Sequence, residues 1–252
     1  MLCTNINYPL ILSGYLKTGI LVVLFCSIFG FGTSQAAITD SLQVAAYINK
    51  QPVEAGEFHR EMLRYRAEIY SQFAKNHQSS GIGNFWNTAF NGVKPIDSLR
   101  GRALKALIVL KVQEQQLIQY NLWPYKNYNQ LLEALRQTNT DRNNAVKKNE
   151  VIYGPVHYTE QSFYDYQFSN AIIKLKKVLR DSGKIKVNDS LLSVHFYQLK
   201  SKGVYSDKQS LDKVKNSVAD SYIEQCYQHL IEGWISNVLV QKVPAVYNKL
   251  AL

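Results

Sequence analysis

The histidines and glycines of this sequence lack the spacings that catalytic and metal-binding motifs require. No HExxH or HxH pair occurs among the five histidines, which are His59, His77, His157, His195 and His229. The motifs GxSxG, GxxxxGK(S/T) and GxGxxG are also absent. Gly81-Ile82-Gly83 is too short to cradle a phosphate and is typical of a loop. The sequence therefore predicts no cofactor, no metal site and no catalytic residue.

Two further kinds of reactive site, a catalytic carboxylate pair and a reactive cysteine, have no fixed spacing in the sequence. Folding could bring together any two of the 19 acidic residues, but nothing in the sequence marks a catalytic carboxylate pair. Cys226 stands between Ile223 and Tyr227, with Glu224 beside it, and lacks the cationic setting of a reactive thiol. We therefore expect a packed thiol and a protein that is not an enzyme.

Aromatic residues are the side chains best suited to a binding role. A run of them falls between residues 153 and 168, and aromatic rings offer a large contact area at small entropic cost, which suits varied extended peptides. The alternative is that individual rings simply pack the helix predicted from Thr159 onward. The candidate polypeptide-binding residues are Tyr153, Tyr158, Phe163, Tyr164, Tyr166, Phe85 and Trp86.

Basic residues exceed acidic ones by 29 to 19, and the net charge is +10. A basic run would attract acidic partners, membrane phosphates or an anionic polysaccharide. Its candidate anion-facing residues are Lys174, Lys176, Lys177 and Arg180. The alternative is a solvated helix face, since cations are favoured near a helix C-terminus. No recognition motif accompanies the charge, so we expect no nucleic-acid partner.

Residues 1–36 have the pattern of a secretory signal peptide. Lys17 precedes an apolar stretch of signal-peptide length, and small residues at Ser34 and Ala36 suit cleavage after Ala36. The stretch is shorter than the roughly 20 residues of a membrane-spanning helix. Phe25 stands before Cys26 where a lipoprotein signal needs a small residue, which argues against lipidation. We expect an exported protein, periplasmic or extracellular, in which Cys226 is the one thiol left after cleavage.

Helical periodicity dominates the rest of the chain. Large apolar residues at three- and four-residue spacing predict a helix of about 20 residues beginning near Glu54. A further long helix should begin at a cap formed by Asp97 or Ser98. Other helices are predicted over residues 85–90, 128–148, 159–180 with Thr159 at its start, and 189–200 with Asn188 as cap. The last helix, over residues 208–241, is predicted to be the longest, at about 50 Å.

Short strands are predicted near both ends. The apolar segment Val44–Ile48 is closed by the turn Asn49-Lys50-Gln51-Pro52, and residues 243–247 suit an edge strand, where Pro244 is tolerated. Pairing of the two strands would tie the ends together. The predicted fold class is a mainly α helical bundle with a short strand near each terminus and a long C-terminal helix.

This order of elements resembles that of SurA-like periplasmic chaperones and foldases, and in particular their N-terminal-type domain. VAAYINKQPVEAGEFHREM is similar to the family's opening strand, turn and helix, with Val53 as the apolar residue and Glu57-Phe58 as the Glu-Phe pair. LRGRALKALIVLKVQEQQLIQYNL resembles the next long helix. VNDSLLSVHFYQLKSKGVY and SLDKVKNSVADSYIEQCYQHLIEGWISNVLVQKVPAVY resemble the later short helix and the closing helix and strand. The resemblance covers most of residues 44–247.

The resemblance implies a chaperone without the family's catalytic domain. Many members carry a parvulin-type prolyl isomerase domain before the closing helix, but the segment between Tyr197 and Leu211 is far too short for a domain. What remains is one helical domain over residues 37–252, with an N-terminal part (44–187) and a closing part (188–252). It would bind unfolded or extended exported polypeptides without catalysis. The alternative is a dedicated binding or scaffold protein for one envelope partner or an anionic polysaccharide.

Overall fold

A computed structural model describes residues 40–77 and 84–252 of the chain. The predicted signal peptide and the Gly81-Ile82-Gly83 loop lie outside these residues. The fold is mainly helical, as the sequence predicts. The helices are α1 (Ala55–His77), α2 (Pro95–Gln119), α3 (Tyr128–Lys147), α4 (Glu160–Asp181), α5 (Asp189–Ser201), α6 (Leu211–Ile235) and α7 (Pro244–Tyr247). The strands are β1 (Val44–Ile48), β2 (Gln51–Glu54) and β3 (Val240–Lys242), and a 3-10 turn covers Phe85–Asn87.

The three strands form an antiparallel sheet in the order β2-β1-β3. Asn49 and Lys50, which connect β1 to β2, have φ values of +49° and +66°. Positive φ at both positions is the signature of the type I′ turn, whose twist matches that of paired strands. β3 pairs with β1 in the register Ala46↔Lys242, Tyr47↔Gln241 and Ile48↔Val240. The predicted pairing of an N-terminal with a C-terminal strand is therefore confirmed.

Two details of the sheet differ from the prediction. The last strand is not at residues 243–247, because it ends at Lys242 and Pro244 starts α7 instead. Proline lacks an amide donor, and a first helical position is where that loss matters least. The sequence pattern also misses β2, since four residues that include Pro52 give too weak a strand signal.

Local sequence signals predict some helix boundaries correctly, and tertiary contacts set others. Thr159 and Asn188 cap α4 and α5 as predicted, accepting hydrogen bonds from backbone amides at 3.1 and 2.9 Å. The prediction of a cap at Asp97 or Ser98 is wrong, because α2 begins at Pro95 after Lys94. The last helix ends at Ile235 rather than near residue 241, so it spans 25 residues, about 38 Å. The residues after Ile235, predicted to continue the helix, instead lead into β3.

The main core lies between the sheet, α1 and α2. The predicted apolar stripe of α1 is buried there, and α2 contributes a matching one; fully buried members include Ile48, Phe58, Met62, Leu99 and Leu107. The C-terminal residues Tyr247 and Leu250 close this core. Arg100 fixes them by donating from its guanidinium to the carbonyl oxygens of Leu250 and Asn248 at 2.6 and 2.8 Å.

A second core joins α4 and α6 to the end of α2. Leu117, Leu175, Leu179 and Tyr227 are buried in it, and Cys226 packs against it with a half-buried side chain. The Tyr227 hydroxyl donates to Gln113 Oε1 at 2.9 Å, which gives the buried phenol a partner. Among the described residues, no helix combines the length and the apolar character that crossing a lipid bilayer demands.

Candidate functional site

The aromatic run of residues 153–168 is divided between core and surface. Tyr158, Phe163 and Tyr164 are buried, and together with Tyr128 and Leu131 they form a cluster between α3 and α4. Their candidate role in polypeptide binding is therefore corrected, because side chains that fill a core offer no surface. Tyr153 and Tyr166 are exposed, to 87% and 54%.

The second aromatic pair is also mostly structural. Phe85 is buried, with ring centroids 4.8 Å from Tyr70 and 5.7 Å from Phe90. It is thereby removed from the candidate binding residues. Trp86 stands edge-on to Phe85 at 5.1 Å and is partly buried against the same core. It retains some accessible surface.

Residues 149–158 form a loop, here called the presenting loop, that is firmly attached to α3. The buried side-chain amide of Asn139 hydrogen bonds with both backbone groups of Tyr158. Its Nδ2 donates to the Tyr158 carbonyl at 2.9 Å, and its Oδ1 accepts from the Tyr158 amide at 2.8 Å. Arg142 donates to the carbonyl oxygens of Pro155 and Tyr153 at 2.6 and 2.7 Å. Gly154, with φ of +80°, allows the reversal between them.

The presenting loop exposes apolar side chains despite this support. Val151 is 80% exposed and Val156 is 50% exposed, and Tyr153 lies between them in the chain. Exposed Tyr166 of α4 lies near, with its ring centroid 5.9 Å from that of Tyr158 at the base of the loop. Single exposed apolar residues are ordinary, but a group held on a fixed backbone is typical of an interaction surface.

A groove of about 650 Å³ lies where the two ends of the described chain meet. Its walls come from the segment before β1, from α1, α3 and the start of α4, and from the segment that begins at Val246. The lining residues are Asp40, Ser41, Gln43, Ala55, Gly56, His59, Tyr128, Leu132, Glu160, Val246, Lys249, Leu250 and Ala251. Leu132 and Leu250 give it apolar surface, His59 gives it a polar ring, and Asp40 and Lys249 give it charge. Glu160 follows the presenting loop by two residues, so groove and loop share α3 and the start of α4.

Tyr128 forms the inner wall of this groove. Its ring lies so close to Gly56 that a Cβ there would stand 2.4 Å from Tyr128 Cε1. The glycine is therefore required for the close approach of α1 and α3. The Tyr128 hydroxyl donates to Glu160 Oε2 at 2.9 Å. Burial raises the pKa of both Tyr128 and Glu160, which keeps the phenol protonated as the donor.

Behind Tyr128 lies a buried ionic cluster, defined as Glu54, Glu57, Arg60, Glu61, Lys111 and Glu114. Lys111 Nζ stands 2.7 Å from Glu57 Oε1 and 3.0 Å from Glu114 Oε2. Arg60 pairs with Glu61 at 3.2 Å, and its guanidinium lies 3.8 Å from the centroid of the Tyr164 ring. These contacts fix α1, α2 and α4 relative to one another.

The cluster holds more carboxyl groups than cations, and the pKa of Glu54 is shifted as a result. Burial, followed by the neighbouring Glu57 carboxyl, raises the pKa of Glu54 to about 8. Burial alone would raise the pKa of Glu57 as well, but the Lys111 charge holds it below its ordinary value. The crevice beside the cluster offers only about 30 Å³, space for about one water molecule. The cluster is thus a structural element with no room for a substrate.

One contact joins a hydroxyl to an imidazole. His195 Nε2 lies 3.0 Å from Ser221 Oγ between α5 and α6. Burial lowers the pKa of His195. Among the described residues no carboxylate contacts the ring to orient it, and no group of three His, Cys, Asp or Glu suited to a metal ion is present. The contact packs α5 against α6.

Acidic neighbours accompany most of the candidate anion-facing residues. Lys176 pairs with Glu224 of α6. Lys177 Nζ stands 2.5 Å from Asp181 Oδ2, and Arg180 Nε lies 3.4 Å from Asp181 Oδ1. Hydrogen bonding from Lys177 lowers the pKa of Asp181, so the carboxyl stays charged. Lys174 is exposed on the same helix. The pairing with acids weakens this face as an anion site.

Comparison of the chain with known protein families, with characterised proteins and with solved structures finds no match.

Of the predicted binding residues, Tyr153 and Tyr166 are exposed, whereas the sequence does not predict the residues that hold the presenting loop. Asn139 and Arg142 lie in the polar half of α3, where the pattern indicates only a solvated helix. The one sequence feature that could have indicated them is their three-residue spacing, which puts an amide and a guanidinium on the same face of the helix. The groove has no local signal, because its walls come from segments far apart in the sequence.

Proposed function

We propose that the protein binds unfolded or extended polypeptides without catalysis, in the manner of a chaperone. The observation that carries this proposal is the presenting loop, which holds Val151, Tyr153 and Val156 exposed on a fixed backbone. Keeping apolar side chains in water forgoes stabilisation that burial would give, so such an arrangement favours a role in contact with a partner.

The groove supports the same proposal. A volume of about 650 Å³ lies within the range of ligand-binding clefts, and mixed apolar and charged walls suit a segment of varied sequence. Because groove and presenting loop share α3 and the start of α4, one extended chain could contact both. The resemblance of residues 44–247 to SurA-like chaperones points in the same direction, as does the signal-like segment, which favours exported polypeptides as clients.

An aggregation assay tests the proposal. The purified protein, at several-fold molar excess, should suppress light scattering by a chemically denatured model protein diluted into buffer. The double variant Val151→Ser/Tyr153→Ala should lose most of this effect, since it removes the exposed apolar surface and leaves the supporting hydrogen bonds intact. Suppression that is absent in the parent protein, or unchanged in the variant, would count against the proposal.

A matched control is available on α5. Tyr197 is 67% exposed and lies far along the chain from the presenting loop. Tyr197→Ala should leave suppression unchanged, whereas a general contribution of surface tyrosines would lower it. A proline-peptide isomerase assay should be blank, and measurable turnover would contradict the proposed lack of catalysis.

A further inference from the structure

The outer edge of β3 carries backbone groups with no strand beside them. Leu239 O accepts from the Asn49 amide at 2.9 Å, and the Val243 amide donates to Ala45 O at 2.9 Å. In an antiparallel ladder the residues between such bonded positions turn their amides and carbonyls the other way. The N–H and C=O groups of Val240 and Lys242 therefore point away from β1, and no described residue pairs with them.

This edge is also apolar and uncovered. Leu239 is 72% exposed and Val240 is 40% exposed. Together with Tyr47, Lys50 and Gln241 they line a crevice of about 400 Å³. Proteins usually shield such edges with charge, bulges or covering segments, because an open edge can take up another strand.

The charges around the edge are of one sign. Lys50 lines the crevice, and Lys242 of β3 lies with its Nζ 4.5 Å from the centroid of the Tyr247 ring. No acidic residue of the described chain lines this crevice. An incoming strand would therefore be favoured by negative charge beside its apolar residues.

We propose that the free edge of β3 binds an extended polypeptide segment of alternating apolar and acidic residues by β-strand addition. The unpaired amides and carbonyls supply hydrogen bonds that do not depend on side-chain identity. Successive strand residues face opposite sides of the sheet, so Leu239 contacts the apolar residues on one side and Lys242 contacts the acidic ones on the other, while Lys50 adds positive charge beside the edge. A second copy of this chain fits less well, because antiparallel pairing of two β3 edges would bring like-charged lysines together.

A labelled peptide provides the first test. Fluorescence anisotropy should detect binding of the hexapeptide Val-Glu-Val-Glu-Val-Glu to the purified protein. The same peptide methylated on its two central backbone nitrogens keeps its side chains but loses donors on both edges. We expect its affinity to fall about tenfold, as the loss of one or two backbone hydrogen bonds requires. Equal binding of the two peptides, or no binding of the first at millimolar concentration, would overturn the proposal.

Substitution at Val240 provides the second test. Val240→Pro removes the outward N–H without touching a bond to β1, and proline is tolerated at such edge positions. Val240→Thr keeps that N–H and serves as the matched control. We expect Val240→Pro to weaken peptide binding about tenfold with an unchanged circular dichroism spectrum, and Val240→Thr to bind nearly as the parent does. If Val240→Pro lowers the helical circular dichroism signal, the variant is not correctly folded, and the comparison with the methylated peptide alone tests the proposal.

Charge and self-association complete the test. Lys50→Gln/Lys242→Gln should weaken binding of the acidic peptide and leave binding of a serine-containing analogue unchanged. Concentration-dependent dimerisation that Val240→Pro abolishes would instead assign the edge to a second copy and overturn the proposal. This inference is separable from the role of the presenting loop: if the peptide tests fail while the Val151→Ser/Tyr153→Ala variant loses suppression, only the edge site is refuted.

Discussion

Replacing Glu54 by glutamine should make the protein more stable in alkaline solution. Glu54 faces the Glu57 carboxyl and the Lys111 ammonium, and its pKa rises from an ordinary 4.5 to about 8 because the carboxyl is buried beside Glu57. Between these two values the folded protein keeps a proton that the unfolded chain has released. The free energy of unfolding therefore falls as pH rises through this window, and the loss is complete above pH 8.

The magnitude follows from the shift. Each pKa unit corresponds to about 1.4 kcal/mol, so the full shift sets a ceiling of about 5 kcal/mol. Because Glu54 keeps a residual exposure of 9%, solvent screens part of this effect and we expect about 2 kcal/mol. Glutamine is neutral at every pH and can donate to the Glu57 carboxylate as a protonated Glu54 does. Glu54→Gln should thus match the parent near pH 5 and exceed its stability by about 2 kcal/mol at pH 9.

Urea denaturation followed by circular dichroism at pH values from 5 to 9 measures this difference. The exposed Glu232 of α6 provides the control, since Glu232→Gln removes a charge from the surface and should leave the pH dependence of the parent unchanged. A Glu54→Gln variant that is less stable than the parent at pH 9, or that keeps the parent's slope with pH, would refute the reasoning.

Three further substitutions test the packing around the candidate site. Gly56→Ala should displace the Tyr128 ring and lower the free energy of unfolding by about 2 kcal/mol, measured by urea denaturation; an unchanged value would mean that α1 and α3 shift apart freely. Asn139→Ala should cost about 2–3 kcal/mol by leaving the Tyr158 backbone unpaired, and limited proteolysis should then cleave the presenting loop, which the parent resists. Lys111→Met should cost about 3–5 kcal/mol at pH 7 because it leaves two buried carboxylates without their cation, and thermal denaturation showing parent-like stability would contradict the assignment.

The helices follow from the sequence because their signals are local. Apolar stripes at three- and four-residue spacing and the caps at Thr159 and Asn188 lie within a few residues of the elements they define. The end of α6 does not follow in this way. Leu239 leaves the helical pattern because Asn49, 190 residues away, hydrogen bonds with it, and no local preference encodes that partner.

The candidate site likewise depends partly on local sequence signals and partly on tertiary contacts. The sequence places the aromatic residues in one run, but burial separates Tyr164 from Tyr166, which stand on opposite faces of α4. The buried ionic cluster combines α1 with α2, and the groove combines residues near Asp40 with residues near Leu250. Such contacts depend on the tertiary arrangement, so a single sequence predicts which residue types are available but not which of them meet.

The central position of β1 in the sheet bears on the order of events during synthesis. β1 is synthesised well before one of its partners, β3, because the six helices α1 to α6 lie between the two strands in the sequence. Contacts this distant in sequence slow folding, because a long loop must close before they form. A nascent or truncated chain that stops short of residue 240 exposes the second edge of β1 and is prone to aggregate. Pairing of β3 with β1 is therefore the step that completes the sheet.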